Sequence, residues 1–83
     1  MTRDECLIAV SNAFDGTRAE AVIGFWNVRL STTPGREVIF TPHFLNENVL
    51  GGRMTPEELT SYIKAIPDTR WATQPDGLMI LPL

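Results

Sequence analysis

Cys6 and His43 are the single thiol and the single imidazole of this chain, and so its first candidates for nucleophile and base. A nucleophile–base pair needs both groups to meet in space, with a third group orienting the base. Their spacing supplies no such third group. A lone Cys in the apolar run Cys-Leu-Ile-Ala-Val behaves as a small hydrophobe. The expectation is a buried Cys6 and a surface His43 at a strand end. His43 and Glu47 lie four residues apart, but two ligands without a third do not make a zinc site. Pro42 and the Asn-rich segment after it also argue against one helix holding both. Asp4-Glu5 and Glu57-Glu58 are paired carboxylates. Both pairs sit at helix starts, where the helix dipole alone accounts for them. Gly51-Gly52-Arg53 precedes a helix start and could cradle an anion with backbone N–H groups and a guanidinium. It lacks the Gly-rich phosphate fingerprints, so a plain turn is expected. No catalytic residue, metal ligand or cofactor is expected, and the chain is not read as an enzyme.

The remaining chemistry is recognition. Trp26, Trp71, Phe25 and Tyr62 are aromatic types enriched at interface hot spots, as is Arg. The core accounts for most of them in a chain this small. The strand at 22–30 is apolar on both faces, however, and one layer of helices covers only one face of a sheet. Some of Ile23, Phe25, Trp26 and Val28 would then be left exposed, and an exposed apolar sheet face rimmed by Arg29 and Arg36 would be an interface. Glu47 and Arg53 on the 45–54 loop join it as candidate partner-binding residues.

The elements that position these residues are read from caps, turns and alternation. Residues 2–14 favour a helix: Thr2 and Glu5 have capping-box spacing and Asp15-Gly16 supplies a stop. The rival reading is a strand with Asp15-Gly16 as a hairpin turn. Residues 20–31 favour one strand, with Val22, Trp26, Val28 and Leu30 on one side and Ile23, Phe25, Asn27 and Arg29 on the other. Thr32-Thr33-Pro34-Gly35 turns the chain, and Glu37 to Phe44 returns as a second strand that is an edge or ends at Pro42. Residues 45–54 read as an irregular connection. Thr55-Pro56-Glu57-Glu58 then opens a helix with a core stripe of Leu59, Tyr62, Ile63 and Ile66, ended by Pro67. Thr69–Thr73 and Leu78–Leu81 flank Gln74-Pro75-Asp76-Gly77 as a hairpin. Met79-Ile80-Leu81 is apolar on both faces and reads as a central strand.

The predicted fold class is α+β: a small, mostly antiparallel sheet of four to five strands with one or two helices packed on one face. The order is α-β-β-α-β-β, or β-β-β-α-β-β if residues 2–14 are a strand. Eighty-three residues make one domain, 1–83. Stability on the order of 5 kcal/mol is expected for this size.

Composition narrows the partners. The net charge is −3, which argues against nucleic acid, since that requires clustered Lys and Arg. One Cys excludes an intrachain disulfide and favours a reducing, cytoplasmic setting. No apolar run approaches the ~18 residues of a membrane helix, and the charged start does not read as a signal peptide.

The first functional expectation is a non-enzymatic protein-binding module acting by stoichiometric docking, with a homodimer through the same surface as one form. The alternatives are a nucleic-acid-associated protein stacking bases on Trp26 and Phe25 beside Arg29 and Arg36, and a self-associating structural subunit. A small enzyme or ligand binder using Cys6, His43 or Gly51-Gly52-Arg53 is the remaining one. This small, acidic, Cys-poor, motif-free profile resembles that of the inhibitors that phages and mobile elements encode against host machinery, anti-CRISPR proteins among them. The resemblance is one of type; it covers no motif and carries no residue over.

Overall fold

The computed structural model describes residues 1–14, 19–22, 27–30, 36–72 and 78–82, and only the backbone of 19–22, 27–30, 72 and 78. Helix α1 (Arg3–Asn12) starts where its cap dictates. The Glu5 amide donates to the Thr2 hydroxyl at 3.1 Å, and the Thr2 amide donates to Glu5 Oε1 at 2.9 Å. Two amides that the helix leaves unpaired are thereby satisfied, which stabilises α1 by about 1 kcal/mol. This settles the helix-or-strand alternative for residues 2–14 in favour of helix.

Three strands follow: β1 (Ala19–Val22), β2 (Asn27–Leu30) and β3 (Glu37–Phe40). Next come a single turn of helix, α2 (Pro42–Phe44), and a π-helical turn, Leu45–Val49. Helix α3 (Pro56–Lys64) has the second capping box, with the Glu58 amide 3.1 Å from the Thr55 hydroxyl and the Thr55 amide 3.2 Å from Glu58 Oε1. A short helix α4 (Asp68–Ala72) and strand β4 (Leu78–Leu81) complete the order. The sheet runs β1-β2-β3-β4, with the first two pairings antiparallel and β3–β4 parallel.

One core joins these elements. Val38, Phe40, Met79 and Leu81 bury one face of the β3–β4 pair against Cys6, Ala9 and Val10 of α1 and Leu59 and Ile63 of α3. Phe40 stacks on Phe44 at 6.1 Å between centroids, and Phe44 lies 6.2 Å from Tyr62.

The predicted fold class is corrected by this arrangement. Four α-helical segments and a π turn replace one or two helices. The pair of strands carrying the described core is parallel, not antiparallel. A parallel pair needs a long crossover, and α2, the π turn, α3 and α4 occupy it, so the sheet is mixed and the chain is a small mixed helical architecture. Segment 20–31 is two strands, paired with each other from Ala19↔Leu30 to Val22↔Asn27. At ~3.3 Å per residue, one strand of that length would reach roughly 40 Å, beyond the 30 Å longest extent of the molecule. Strand 37–44 stops at Phe40, because Thr41 turns to cap α2, its hydroxyl accepting from the Phe44 amide at 3.3 Å. The segment is not an edge, since β3 lies between β2 and β4. Segment 69–73 is helical over its described residues, with the Pro67 carbonyl accepting from the Arg70 amide at 2.9 Å. Strand β4 is at the margin of the sheet rather than central, and Ile80 is exposed. The predicted turns at Asp15-Gly16, 32–35 and 74–77 lie outside the described residues.

Candidate functional site

Alternation along β3 and β4 sorts their side chains. Val38 and Phe40 are buried toward the helices, as are their register neighbours Met79 and Leu81. Ile39 and Ile80 are register partners and take the other face, where Ile39 is half-buried and Ile80 is 55% exposed. An uncovered apolar position therefore exists on the sheet, on β4. Ile23, Phe25 and Trp26 lie outside the described residues. Arg29 is in β2, as the register partner of Glu37, and its side chain lies outside them too. Because 20–31 is two strands, the two faces expected from one continuous alternation do not apply.

Arg36 is brought to a cluster that sequence reasoning missed. Its guanidinium lies 5.2 Å from the centroid of the Trp71 ring and 5.8 Å from that of Phe14, and the two rings meet edge-to-face at 5.6 Å. Asp68 pairs with it at 3.6 Å but is 91% exposed, so water weakens that attraction. A cavity of about 330 Å³ opens here, lined by Arg36, Phe14, Trp71 and Lys64 among others. The expected rim anchor thus fastens α4 and the end of α1 to the start of β3. No local signal links residues 14, 36, 68 and 71.

Glu47 and Arg53 meet at 3.7 Å, both well exposed, across the exit of the π turn. The Gly52 amide donates to the Val49 carbonyl at 3.3 Å and the Met54 amide to the Asn48 carbonyl at 2.9 Å. Those N–H groups are engaged within the loop, and Gly52 takes a left-handed φ of +79°. Of the groups in the anion-cradle reading of Gly51-Gly52-Arg53, the Gly52 amide is engaged within the loop and the Arg53 guanidinium faces Glu47.

Cys6 is fully buried, and burial pushes its thiol up to about 12. A thiol so held is protonated and shielded, unlike a catalytic one. His43 is exposed on α2 rather than at a strand end. Among the described residues, no three His, Cys, Asp or Glu side chains are grouped to hold a metal. Glu5 and Glu58 serve their capping boxes, and hydrogen bonds from Thr2 hold the Glu5 carboxyl below its ordinary range.

A second feature that the sequence reading missed is the groove between α1 and α3. Glu5, Ile8 and Asn12 form one side at i, i+3 and i+7, and Pro56, Glu57 and Thr60 form the other, around about 300 Å³. Ile8 is 60% exposed. The Thr60 hydroxyl lies 2.9 Å from the Ala9 carbonyl and 3.0 Å from that of Pro56, tying α3 to α1 at the groove. The available signal was Ile8 itself, off the stripe of Cys6, Ala9 and Val10.

Among the described residues, no helix is long and apolar enough to cross a membrane. Comparison with protein-family models, curated proteins and solved structures finds no match.

Proposed function

We propose that the chain is a small, non-enzymatic protein-binding module that acts by stoichiometric docking through the open face of the β3–β4 pair. The observation that carries this reading is Ile80, 55% exposed beside its register partner Ile39. Covering an isoleucine stabilises a complex by about 1–2 kcal/mol. A stable interface buries about 800 Å² per partner, so Ile80 is the anchor of a larger patch. An inhibitor acting on host machinery in a reducing compartment is the form of this reading that agrees with the small, acidic, single-Cys sequence.

The test is a tagged pull-down from lysate of the source or its host, with and without nuclease, using wild type and Ile80→Asp. The expected result is one stoichiometric protein that survives nuclease and is lost with Ile80→Asp. Recovery that ignores Ile80→Asp removes the sheet face from the account. Recovery abolished by nuclease turns the reading to nucleic acid.

A further inference from the structure

Ile8 stands outside the buried core. The buried stripe of α1 is Cys6, Ala9 and Val10, and Ile8 stands off it, 60% exposed. It borders a groove whose floor includes Ala9, 1% exposed. The Thr60–Ala9 hydrogen bond fixes the two helices there, so the groove is formed before anything enters it. Both charges among its described lining residues are carboxylates, Glu5 and Glu57. Asp4 and Glu58 stand beside them at the same two helix starts. Each helix start carries about half a positive charge, and at the α1 start Arg3 and the N-terminal amine offset Asp4 and Glu5, so the net negative charge beside the groove comes from Glu57 and Glu58 at the α3 start. Arg36 and Arg53 pair with Asp68 and Glu47 outside the groove.

We infer that the α1–α3 groove is a docking site for a basic segment of a partner protein, one that presents an apolar side chain to Ile8 between Lys or Arg residues that face Glu5 and Glu57. The inference rests on the protein-binding reading but uses a surface separate from Ile80. The apolar contact supplies affinity, and the carboxylates select the sign of the flanking charges.

The test is a titration of the full ¹⁵N-labelled chain with two synthetic helical peptides that share one Leu/Ala pattern. One carries Lys at the flanking positions and the other carries Glu. The expected result is saturable shifts of the Ile8, Ala9, Asn12 and Thr60 amides with the Lys peptide alone. Ile8→Ala should weaken that binding roughly tenfold, the effect of losing a buried aliphatic side chain. Glu57→Gln should weaken it severalfold at low salt and much less at high salt. Ile8 is exposed, so Ile8→Ala leaves the fold intact, which circular dichroism checks. No shifts with either peptide, equal shifts with both, or unchanged affinity in Ile8→Ala would overturn the inference. In the pull-down, a partner kept by Ile8→Ala and lost with Ile80→Asp overturns the groove alone. Recovery of no protein by wild type overturns the docking reading itself.

Discussion

Replacing Gly51 and Gly52 by Ala, one at a time, should separate two costs that neighbouring glycines carry for different reasons. A Cβ on Gly51 would lie 2.5 Å from the carbonyl oxygens of both Asn46 and Glu47, and 3.0 Å from the Glu47 carbonyl carbon. Carbon–oxygen contacts settle at about 3.3 Å or more, so the overlap is roughly 0.8 Å on two atoms at once. Both atoms are backbone of the π turn, which is closed by a 2.7 Å bond from the Leu50 amide to the Leu45 carbonyl. Neither can swing away as a side-chain tip would. The turn must open, at about 1–3 kcal/mol for overpacking. At Gly52 a Cβ meets nothing within 4 Å, and the penalty is only the φ of +79°. That penalty is about 1 kcal/mol for Ala and less for Asn, which tolerates the left-handed region. Losing a glycine also stabilises through the unfolded chain by about 0.4–1 kcal/mol, which offsets part of each cost. The expected order of destabilisation is Gly51→Ala, then Gly52→Ala, then Gly52→Asn. Against a total near 5 kcal/mol, Gly51→Ala should lower the melting temperature by ~4–8 °C for each kcal/mol of net loss. Urea unfolding with a shared m-value is the assay. If Gly52→Ala destabilises as much as Gly51→Ala, or Gly51→Ala changes stability by less than about 0.5 kcal/mol, the close approach in the π turn is refuted.

Three further outcomes follow from side chains described above. Cys6 keeps its proton in the folded state to about 12 against an ordinary 9.0, so between those values the native chain holds a proton that the unfolded chain has lost. Stability should therefore fall with rising pH above 9.0, at up to about 1.4 kcal/mol per pH unit, and the difference between wild type and Cys6→Ala in urea unfolding isolates that slope. The Glu5 carboxyl lies below its ordinary 4.5, so its contribution is complete above 4.5 and is lost as pH falls through the folded value. Acid unfolding of Glu5→Gln, which keeps the cap acceptor, should depend less on pH in that window. Arg36→Lys should cost about 1 kcal/mol through the loss of its planar contact with Trp71 and Phe14, whereas Asp68→Asn should cost under about 0.5 kcal/mol because the ion pair is exposed. Thermal melts compare the two, and a larger loss in Asp68→Asn than in Arg36→Lys would assign the fastening to the ion pair.

What could be read from the sequence was local. Thr2 with Glu5 and Thr55 with Glu58 satisfy helix ends within four residues, so the caps are written where they act. Of the predicted stripe, Leu59 and Ile63 are buried on α3, Tyr62 is half-buried on it, and Ile66 is buried just past its end. Segment 69–73 went the other way because Trp71 and two Thr residues favour strand, while packing against Phe14 and Arg36 decides the outcome. The π turn at 45–49 shows only as a Gly pair after it. The parallel β3–β4 pairing has no signature at either strand, because direction depends on the path taken between them. Site residues followed the same division. Burial of Cys6 could be read from its apolar neighbours. The Arg36 cluster could not be read, since its members come from three separated segments. The Ile8 groove needs both helices in place before it exists.

The register of β3 against β4 constrains the order in which the chain folds. Glu37 and Leu78 are partners across about forty residues, and closing a loop of that length costs about 3 kcal/mol of chain entropy. Four paired residues, at about 1 kcal/mol per hydrogen bond, do not exceed that by a useful margin while the intervening helices are loose. α1, α3 and the β1–β2 pair depend on contacts close in sequence and can form sooner. The β3–β4 ladder then closes late, together with the docking of α3 on α1, whose Thr60–Ala9 contact spans 51 residues. Substitutions at Met79 or Leu81 should accordingly speed unfolding and leave the folding rate almost unchanged. Until that step, the buried face of Val38 and Phe40 is without its β4 neighbours, and the late intermediate is the species most exposed to aggregation.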